Sequence, residues 1–289
     1  MSKILVTGAT GHLGTSVIET LLKKIPAEQI SIITRNEEKR TAFQSMGFNA
    51  FLGSYDDIAA LENAMENVET VLLISSGDQG DRMQEHKNVI DTARKKGVKH
   101  VAYTSRCLSD RNTLTNKLMT EHFETEDYIV ASGLKYTFFR NILYMDAIPQ
   151  FIGGNAALEK GIFLPAGDGQ VSFALRSEMG EAMANVLLNE KYDSKIYNFT
   201  GDQAYSFYDI ATTLSGLLGR EVKYTPVETA AFEEMMKQRN LPAPVIQKIV
   251  DFITDIKHNE EAAIYNDLEK QLGRKPTNLK DGLQQLFGL

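Results

Sequence analysis

Glycines 8, 11 and 14 follow the apolar run Ile4-Leu5-Val6 and precede Leu13, Val17, Ile18, Leu21 and Leu22, an apolar stripe at helical period that Pro26 ends. Three consecutive apolar residues suit a strand buried on both faces. Strand, glycine turn and helix are together what a dinucleotide-binding loop needs. The first glycine makes the tight turn, the second lets the backbone approach a pyrophosphate, and the third brings helix close to strand. The helix N-terminus adds unpaired N–H groups and the positive end of its dipole. The expected loop is therefore Gly8, Thr10, Gly11, His12, Leu13 and Gly14. A tight βα turn holding no ligand is the plainer alternative.

The same alternation continues. Strands are expected at Ile30–Thr34, Ala50–Leu52, Val71–Ile74, His100–Thr104 and Tyr136–Phe139, with helices between them at Glu37–Met46, around Ile58–Met65, at Arg82–Lys96 and over Leu114–Ala131. Such regular alternation implies an α/β, Rossmann-type, doubly wound parallel sheet, because right-handed crossovers lay helices on both faces. The rhythm breaks after Asn141, and residues 145–173, rich in glycine and proline, read as loop. A helix at Ser177–Asn189, a strand at Ile196–Phe199, a helix at Ser206–Leu218 and a short strand at Glu221–Tyr224 follow. The tail is helical, with the amphipathic set Ile246, Ile249, Val250 and Ile253. The expected organisation is a dinucleotide-binding domain over residues 1–150, to which 174–203 return, and a smaller C-terminal α/β lobe made of 151–173 and 204–289.

Several classes are excluded by composition. A net charge of −7 without a long basic tract speaks against nucleic-acid binding. Arg94-Lys95-Lys96 stands before Gly97, where cations suit a helix C-terminus. No stretch approaches the ~18 apolar residues of a membrane span, and no signal peptide is expected, since Met1-Ser2-Lys3 leads straight into the first strand. The single cysteine, Cys107, cannot form an internal disulfide and reads as a small buried residue or, less simply, a reactive thiol. A cytoplasmic protein is expected. Nothing in the sequence sets an oligomeric state.

Dinucleotide sites for NAD place an acidic residue after strand two, about 20 residues past the glycines, to accept from the ribose 2′-hydroxyl. That place reads Thr34-Arg35-Asn36 here. A guanidinium cannot accept the hydroxyl but can pair with a 2′-phosphate, so NADP(H) is favoured and NAD(H) remains possible, with Arg35 then stacked on adenine. Gly53-Ser54-Tyr55-Asp56-Asp57 suits either an adenine contact or a helix cap from Asp56 or Asp57.

None of the eleven tyrosines has Lys four positions on, so the usual Tyr-x-x-x-Lys pair that handles an alcohol proton is missing. The five histidines show no zinc spacing, and no metal site is expected. Ser105 lacks a hydrolase's glycine-flanked elbow.

Residues 6–14 (VTGATGHLG), 97–104 (GVKHVAYT) and 136–144 (YTFFRNILY), with Tyr197–Gly201 and Ser206–Ala211, resemble the atypical short-chain dehydrogenase/reductases of the NmrA-like group. Within it the chain is most similar to bacterial NAD(P)H:quinone reductases and triphenylmethane reductases. The resemblance covers essentially the whole chain and implies an extended Rossmann fold, NADP(H), and a substrate cleft. Two positions depart from the pattern. The catalytic lysine of the isoflavone-reductase-like enzymes falls at His122, and Gly53-Ser54 stands where the quinone reductases usually have Gly-Asp.

Candidate site residues follow from the strand ends. Ser75, Ser76 and Gly77 after strand four, Thr104 and Ser105 after strand five, and Asn141 after strand six should line the nicotinamide side. His122 is a candidate proton donor near neutral pH or else a residue of an exposed helix face. Tyr144, Phe151 and Phe163, with Leu164, are candidates for an apolar pocket that takes a small planar aromatic or quinone substrate. The expected activity is NADPH-dependent hydride transfer to such an acceptor. The alternative is a non-catalytic NADP(H)-sensing regulatory protein.

Overall fold

A computed structural model describes residues 4–77, 80–112, 116–189 and 193–289. In chain order its elements begin β1 (Ile4–Val6), α1 (His12–Leu22), β2 (Ile30–Thr34), α2 (Glu37–Ser45), β3 (Asn49–Leu52), α3 (Ile58–Ala64), β4 (Thr70–Leu73), α4 (Arg82–Lys95), β5 (His100–Arg106), α5 (Lys117–Ser132) and β6 (Lys135–Asn141). Short pieces follow, α6 (Ile148–Ile152), α7 (Ala156–Lys160), β7 (Ile162–Leu164) and β8 (Gln170–Val171), then α8 (Arg176–Asn189), β9 (Lys195–Phe199) and β10 (Tyr205–Ser206). The chain ends with α9 (Phe207–Leu218), β11 (Tyr224–Pro226), α10 (Thr229–Gln238), α11 (Ala243–Lys257), α12 (Asp267–Leu272) and α13 (Leu279–Phe287). The expected start of α5 at Leu114 lies outside the described residues.

Two units divide the chain. The first holds residues 1–106, 118–141 and 176–198. Its sheet has the order β3-β2-β1-β4-β5-β6-β9, and the pairings from β3 to β6 are parallel. The order reverses between β1 and β4, the switch point where open α/β sheets bind ligands beyond their strand ends. Every residue of β1, β2, β4 and β5 is buried, as a sheet covered on both faces requires. Alternate residues serve opposite faces: Leu5, Ile33, Val71, Val101, Tyr103 and Phe138 join Leu61 of α3, Val89 and Ile90 of α4 and Ile129 of α5 in one core. The helix starts follow the side chains: Asn36 Oδ1 accepts from the Lys39 N–H at 2.8 Å and Asp81 Oδ1 from Gln84 at 3.0 Å. Asp57, not Asp56, caps α3, accepting from Ala60 at 2.9 Å.

The second unit holds 107–117, 142–175 and 199–289. The stretch read as loop, 145–173, contains α6, α7, β7 and β8. These elements are too short to show a period, and distant partners define them. β7 pairs in parallel with β11, Ile162 facing Tyr224, and β8 pairs antiparallel with β10, Val171 facing Tyr205. That pairing also moves the strand expected at Glu221–Tyr224 to Tyr224–Pro226. Buried Glu261 ties the unit together, its carboxylate accepting from the Leu143 N–H at 3.1 Å and its carbonyl from the Ser172 N–H at 3.0 Å. Pro242 stands at the N-cap of α11, whose face Ile246, Val250 and Ile253 is buried. Among the described residues no helix is long and apolar enough to cross a membrane.

Candidate functional site

The glycine turn is built by three different constraints. Gly8 has φ +61°, and a Cβ there would lie 3.0 Å from Cβ of Ile74. At Gly14 a Cβ would come 2.3 Å from the carbonyl oxygen of Gly8, so no side chain fits between α1 and the turn. Gly11 differs: its nearest neighbour would be the same oxygen at an ordinary 3.4 Å, and it is exposed. Gly11 is also the N-cap of α1 and supplies no capping side chain, which leaves the first-turn N–H groups uncapped.

Around this turn lies a cavity of about 530 Å³. Of the expected cofactor residues, Gly8, Thr10, Gly11, Arg35, Ser75, Ser76 and Gly77 line it. His12, Leu13, Gly14, Thr104 and Ser105 do not. Leu13 and Gly14 are buried against the fold, and His12 opens α1 on an exposed face. Thr104 acts one step back, its Oγ1 accepting from the Ser75 N–H at 2.8 Å. Ser105 is buried at the end region of β5.

Arg35 makes no hydrogen bond or ion pair among the described residues, whereas Arg40 is bound to Glu37 and Gln44. The disengaged guanidinium of Arg35 thus belongs to the cavity lining. Tyr55 lines it too, with Oη 2.6 Å from Thr7 Oγ1 and 2.9 Å from the Ile74 carbonyl. Burial, above all, holds its phenol above the ordinary range. Ser76 carries a buried hydroxyl that has no partner among the described residues.

Behind the cavity wall stands His86, which the sequence reading overlooked. The Ser76 N–H donates to its Nε2 at 3.0 Å, and Nδ1 lies 2.9 Å from Thr125 Oγ1. Burial first and the charge of Arg82 second push this histidine down to about 3, so the ring is neutral. Its position was legible, since residues 82, 86, 89, 90 and 93 form the buried stripe of α4.

His122 lies in the same interior. It is 7% exposed, which removes the exposed-helix reading, and its Nδ1 is 2.9 Å from Tyr103 Oη. Burial, then Arg82 and Arg106, hold its pKa well below the ordinary value. Burial likewise raises the Tyr103 phenol, so the phenol donates and the neutral imidazole accepts. A proton donor working near pH 7 does not fit such a ring, and His122 lines neither cavity described here. Asn141 ends β6 fully buried and also lies outside both linings. Its neighbour Arg140 pairs with Glu126 at 2.9 and 2.5 Å.

Wholly within the second unit is an apolar cavity of about 600 Å³, in the usual range for small-molecule sites. Phe151, Phe163 and Leu164 line it as expected. Tyr144 does not, being a half-buried residue that forms a bridge with Ala174. Sequence reasoning missed the opposite wall, Phe232, Met235 and Met236 of α10 with Ile249 and Phe252 of α11. Methionines and aromatics at helical spacing look alike whether they face a core or a cavity. Cys107 is buried. Among the described residues no group of three or more His, Cys, Asp or Glu could hold a metal.

The reversed strand order, the glycine turn and the cradle around it define a Rossmann-type dinucleotide-binding protein. The chain belongs to the NmrA-like family, whose profile matches residues 1–286. It is 36% identical over 290 residues to quinone oxidoreductase 2 of Escherichia coli (strain K12), covering 99% of each chain. The solved structure of the E. coli NADPH-dependent quinone oxidoreductase in complex with NADPH superposes with a TM-score of 0.91, over 98% of this chain and 99% of that one. The triphenylmethane reductase of Citrobacter sp. superposes at 0.92 with 34% identity, over 99% of this chain and 100% of that one.

Proposed function

We propose that this protein is an NADPH-dependent reductase that passes a hydride to a quinone or a similar planar conjugated acceptor. The observation that carries the reading is the cradle beside Arg35, where bare backbone at Gly8 and Gly11 and an unengaged guanidinium line one cavity. These groups fit the cofactor. The uncapped N–H groups of α1 suit a pyrophosphate, the fork of Arg35 suits a 2′-phosphate, and the hydroxyl of Ser76 awaits a polar partner. NAD(H) would leave the guanidinium without its anion. Full-length similarity to a quinone oxidoreductase crystallised with NADPH supports the same reading.

Bound NADPH supplies the hydride. The chain's own share is binding and orientation. Gly8, Thr10, Gly11, Arg35, Ser75, Ser76 and Gly77 hold the cofactor, with Thr104 and His86 fixing the backbone of Ser75 and Ser76 from behind. Phe151 and Phe163 receive the planar acceptor, and Asn141, which lines neither cavity, serves as a buried positioning residue at the end of β6. No Tyr-x-x-x-Lys pair is needed, because a hydroquinone anion is far less basic than an alkoxide and takes its proton from solvent. The neutral His122 holds Tyr103 rather than donating to the product. We place the protein in the cytoplasm, where NADPH is kept reduced and a lone cysteine stays unpaired.

Oxidation of NADPH, followed by its absorbance, should run steadily on adding a naphthoquinone and stop when the quinone is spent. Tight NADPH binding with no turnover of any quinone would overturn the reductase reading and leave a binding role alone.

A further inference from the structure

Gly53, Ser54 and Tyr55 all line the cofactor cavity, while the cap of α3 falls to Asp57. What this stretch gives the cradle is Tyr55. Its ring packs against the main core of the first unit, and its carbonyl accepts from Asn88 Nδ2 of α4 at 3.1 Å. So anchored, the phenol reaches the switch point between β1 and β4. There Oη lies 2.6 Å from Thr7 Oγ1 and 2.9 Å from the Ile74 carbonyl. Ile74 follows the last residue of β4, and side chains take both of its backbone groups. Its N–H donates to Thr7 Oγ1 at 3.0 Å, and its carbonyl accepts from Tyr55. Thr7 is fully buried and is itself tied across the strands, its Oγ1 lying 3.1 Å from the Leu72 carbonyl.

Two hydroxyls therefore stitch the residue after β1 to the residue after β4. Both segments then run into the cavity, Gly8 following Thr7, and Ser75 and Ser76 following Ile74. Gly8 also sits on Ile74, whose Cβ an added methyl would meet at 3.0 Å. A buried tyrosine needs only one partner for its hydroxyl. This one has two, each on a segment that forms the cradle. Burial keeps the phenol protonated, so the donor is constant. We propose, on the reading of this cavity as the dinucleotide site, that Tyr55 is a positioning residue for the cofactor, its hydroxyl fixing Ile74 and thereby the spacing between the Gly8 turn and the Ser75–Ser76 segment. Its role differs from that of Arg35. Turn and segment serve any dinucleotide, so loss of the hydroxyl weakens NADPH and NADH alike.

Calorimetric titration of the full-length protein with NADPH and with NADH tests this. Tyr55→Phe keeps the ring and removes the hydroxyl. It should weaken both cofactors by one common factor, about three- to tenfold, the scale of one lost hydrogen bond. With a quinone as acceptor, KM for NADPH should rise by that factor while kcat changes less than about twofold. Thr7→Val should act in the same direction, and Thr7→Ser should bind as the parent does. Tyr55→Phe combined with Thr7→Val should lose less than the two losses together, because both hydroxyls hold Ile74. Tyr128→Phe, which removes a phenol bound to Asp91 at 3.0 Å on the surface, should leave both affinities intact. A Tyr55→Phe protein that melts lower but binds both cofactors as before would make the hydroxyl merely structural and overturn the proposal. A loss confined to NADPH would overturn it too, since Tyr55 would then serve the 2′-phosphate with Arg35. Failure of the parent protein to bind either dinucleotide would instead refute the cofactor reading, and the role of Tyr55 with it.

Discussion

The backbone N–H of Ser76 donates to Nε2 of His86 across 3.0 Å, and this bond places the ring's single proton on Nδ1, toward Thr125. One side of the glycine cradle therefore rests on an imidazole that must stay neutral. An unfolded histidine titrates near 6.5, and His86 in the fold only near 3. Between those values the unfolded chain binds the extra proton, so stability is full above about 6.5 and falls as the pH is lowered. His86 alone should cost about 1.4 kcal/mol by pH 5.5, and His122, shifted in the same direction, adds to the loss. Urea unfolding between pH 7.5 and 5.5 should show this slope, and His86→Asn should flatten it. An unchanged slope in that variant would mean that His86 titrates normally in the fold.

Arg35 is the cradle's unengaged cation, and its role is separable from binding in general. Arg35→Ala should weaken NADPH binding by about 1.5–3 kcal/mol, the scale of a charged hydrogen bond, and leave NADH nearly unchanged. Titration of both cofactors reads this directly, and equal losses would show that Arg35 serves adenine or nothing.

Two glycines three residues apart should fail in opposite ways. Gly11→Val adds its side chain toward open space, the nearest backbone oxygen being 3.4 Å from the new Cβ. The fold should keep its melting temperature and lose the cofactor. Gly14→Ala drives a methyl to 2.3 Å from the Gly8 carbonyl, so α1 must shift and the melting temperature must fall. A Gly11→Val protein that still binds NADPH normally would remove the pyrophosphate from this turn.

What the sequence discloses divides along the two units. In the first, β1 is an apolar run that leads into the glycine turn, β3 ends before Gly53, and β2 lies at Ile30–Thr34 as read, while β5 and β6 extend two residues past the expected Thr104 and Phe139. Gly97 and Gly133, which end α4 and α5 in the reading, do take positive φ, +74° and +79°. Local chemistry writes these boundaries, so they are visible locally. In the second unit β7 and β8 exist because β11 and β10 pair with them from far along the chain, Tyr224 with Ile162 and Tyr205 with Val171, and no local pattern records so distant a partner. The apolar cavity of the second unit shows the same limit. Phe151 and Phe163 stood out in a glycine-rich stretch, but Met235, Met236 and Phe252 sit on helices whose periodicity would be identical had they faced a core. Tyr144 stood out for the same reason as the phenylalanines and is held elsewhere by its bridge to Ala174. The burial of His86 is legible in the stripe of α4, but nothing in that pattern marks it as the partner of Ser76.

His122 and Asn141 offer the last test, because the first is a candidate by position and the second by strand end. If hydride transfer and orientation dominate, removing His122 deprives Tyr103 of its acceptor but removes no proton donor. His122→Asn should cost about 1–3 kcal/mol of stability and lower quinone turnover by well under the 10²–10⁴-fold typical of a lost general acid. The wild-type rate should stay nearly flat between pH 6 and 7, since a ring held neutral by burial does not titrate there. Asn141→Ala should instead raise KM or lower kcat, because the proposed mechanism gives this buried amide at the end of β6 a positioning role. Steady-state rates of both variants across that pH range separate the roles. A bend near pH 6.5 together with collapse of turnover in His122→Asn, and a silent Asn141→Ala, would return the proton to His122 and overturn the mechanism while leaving the fold and the cofactor cradle as they are.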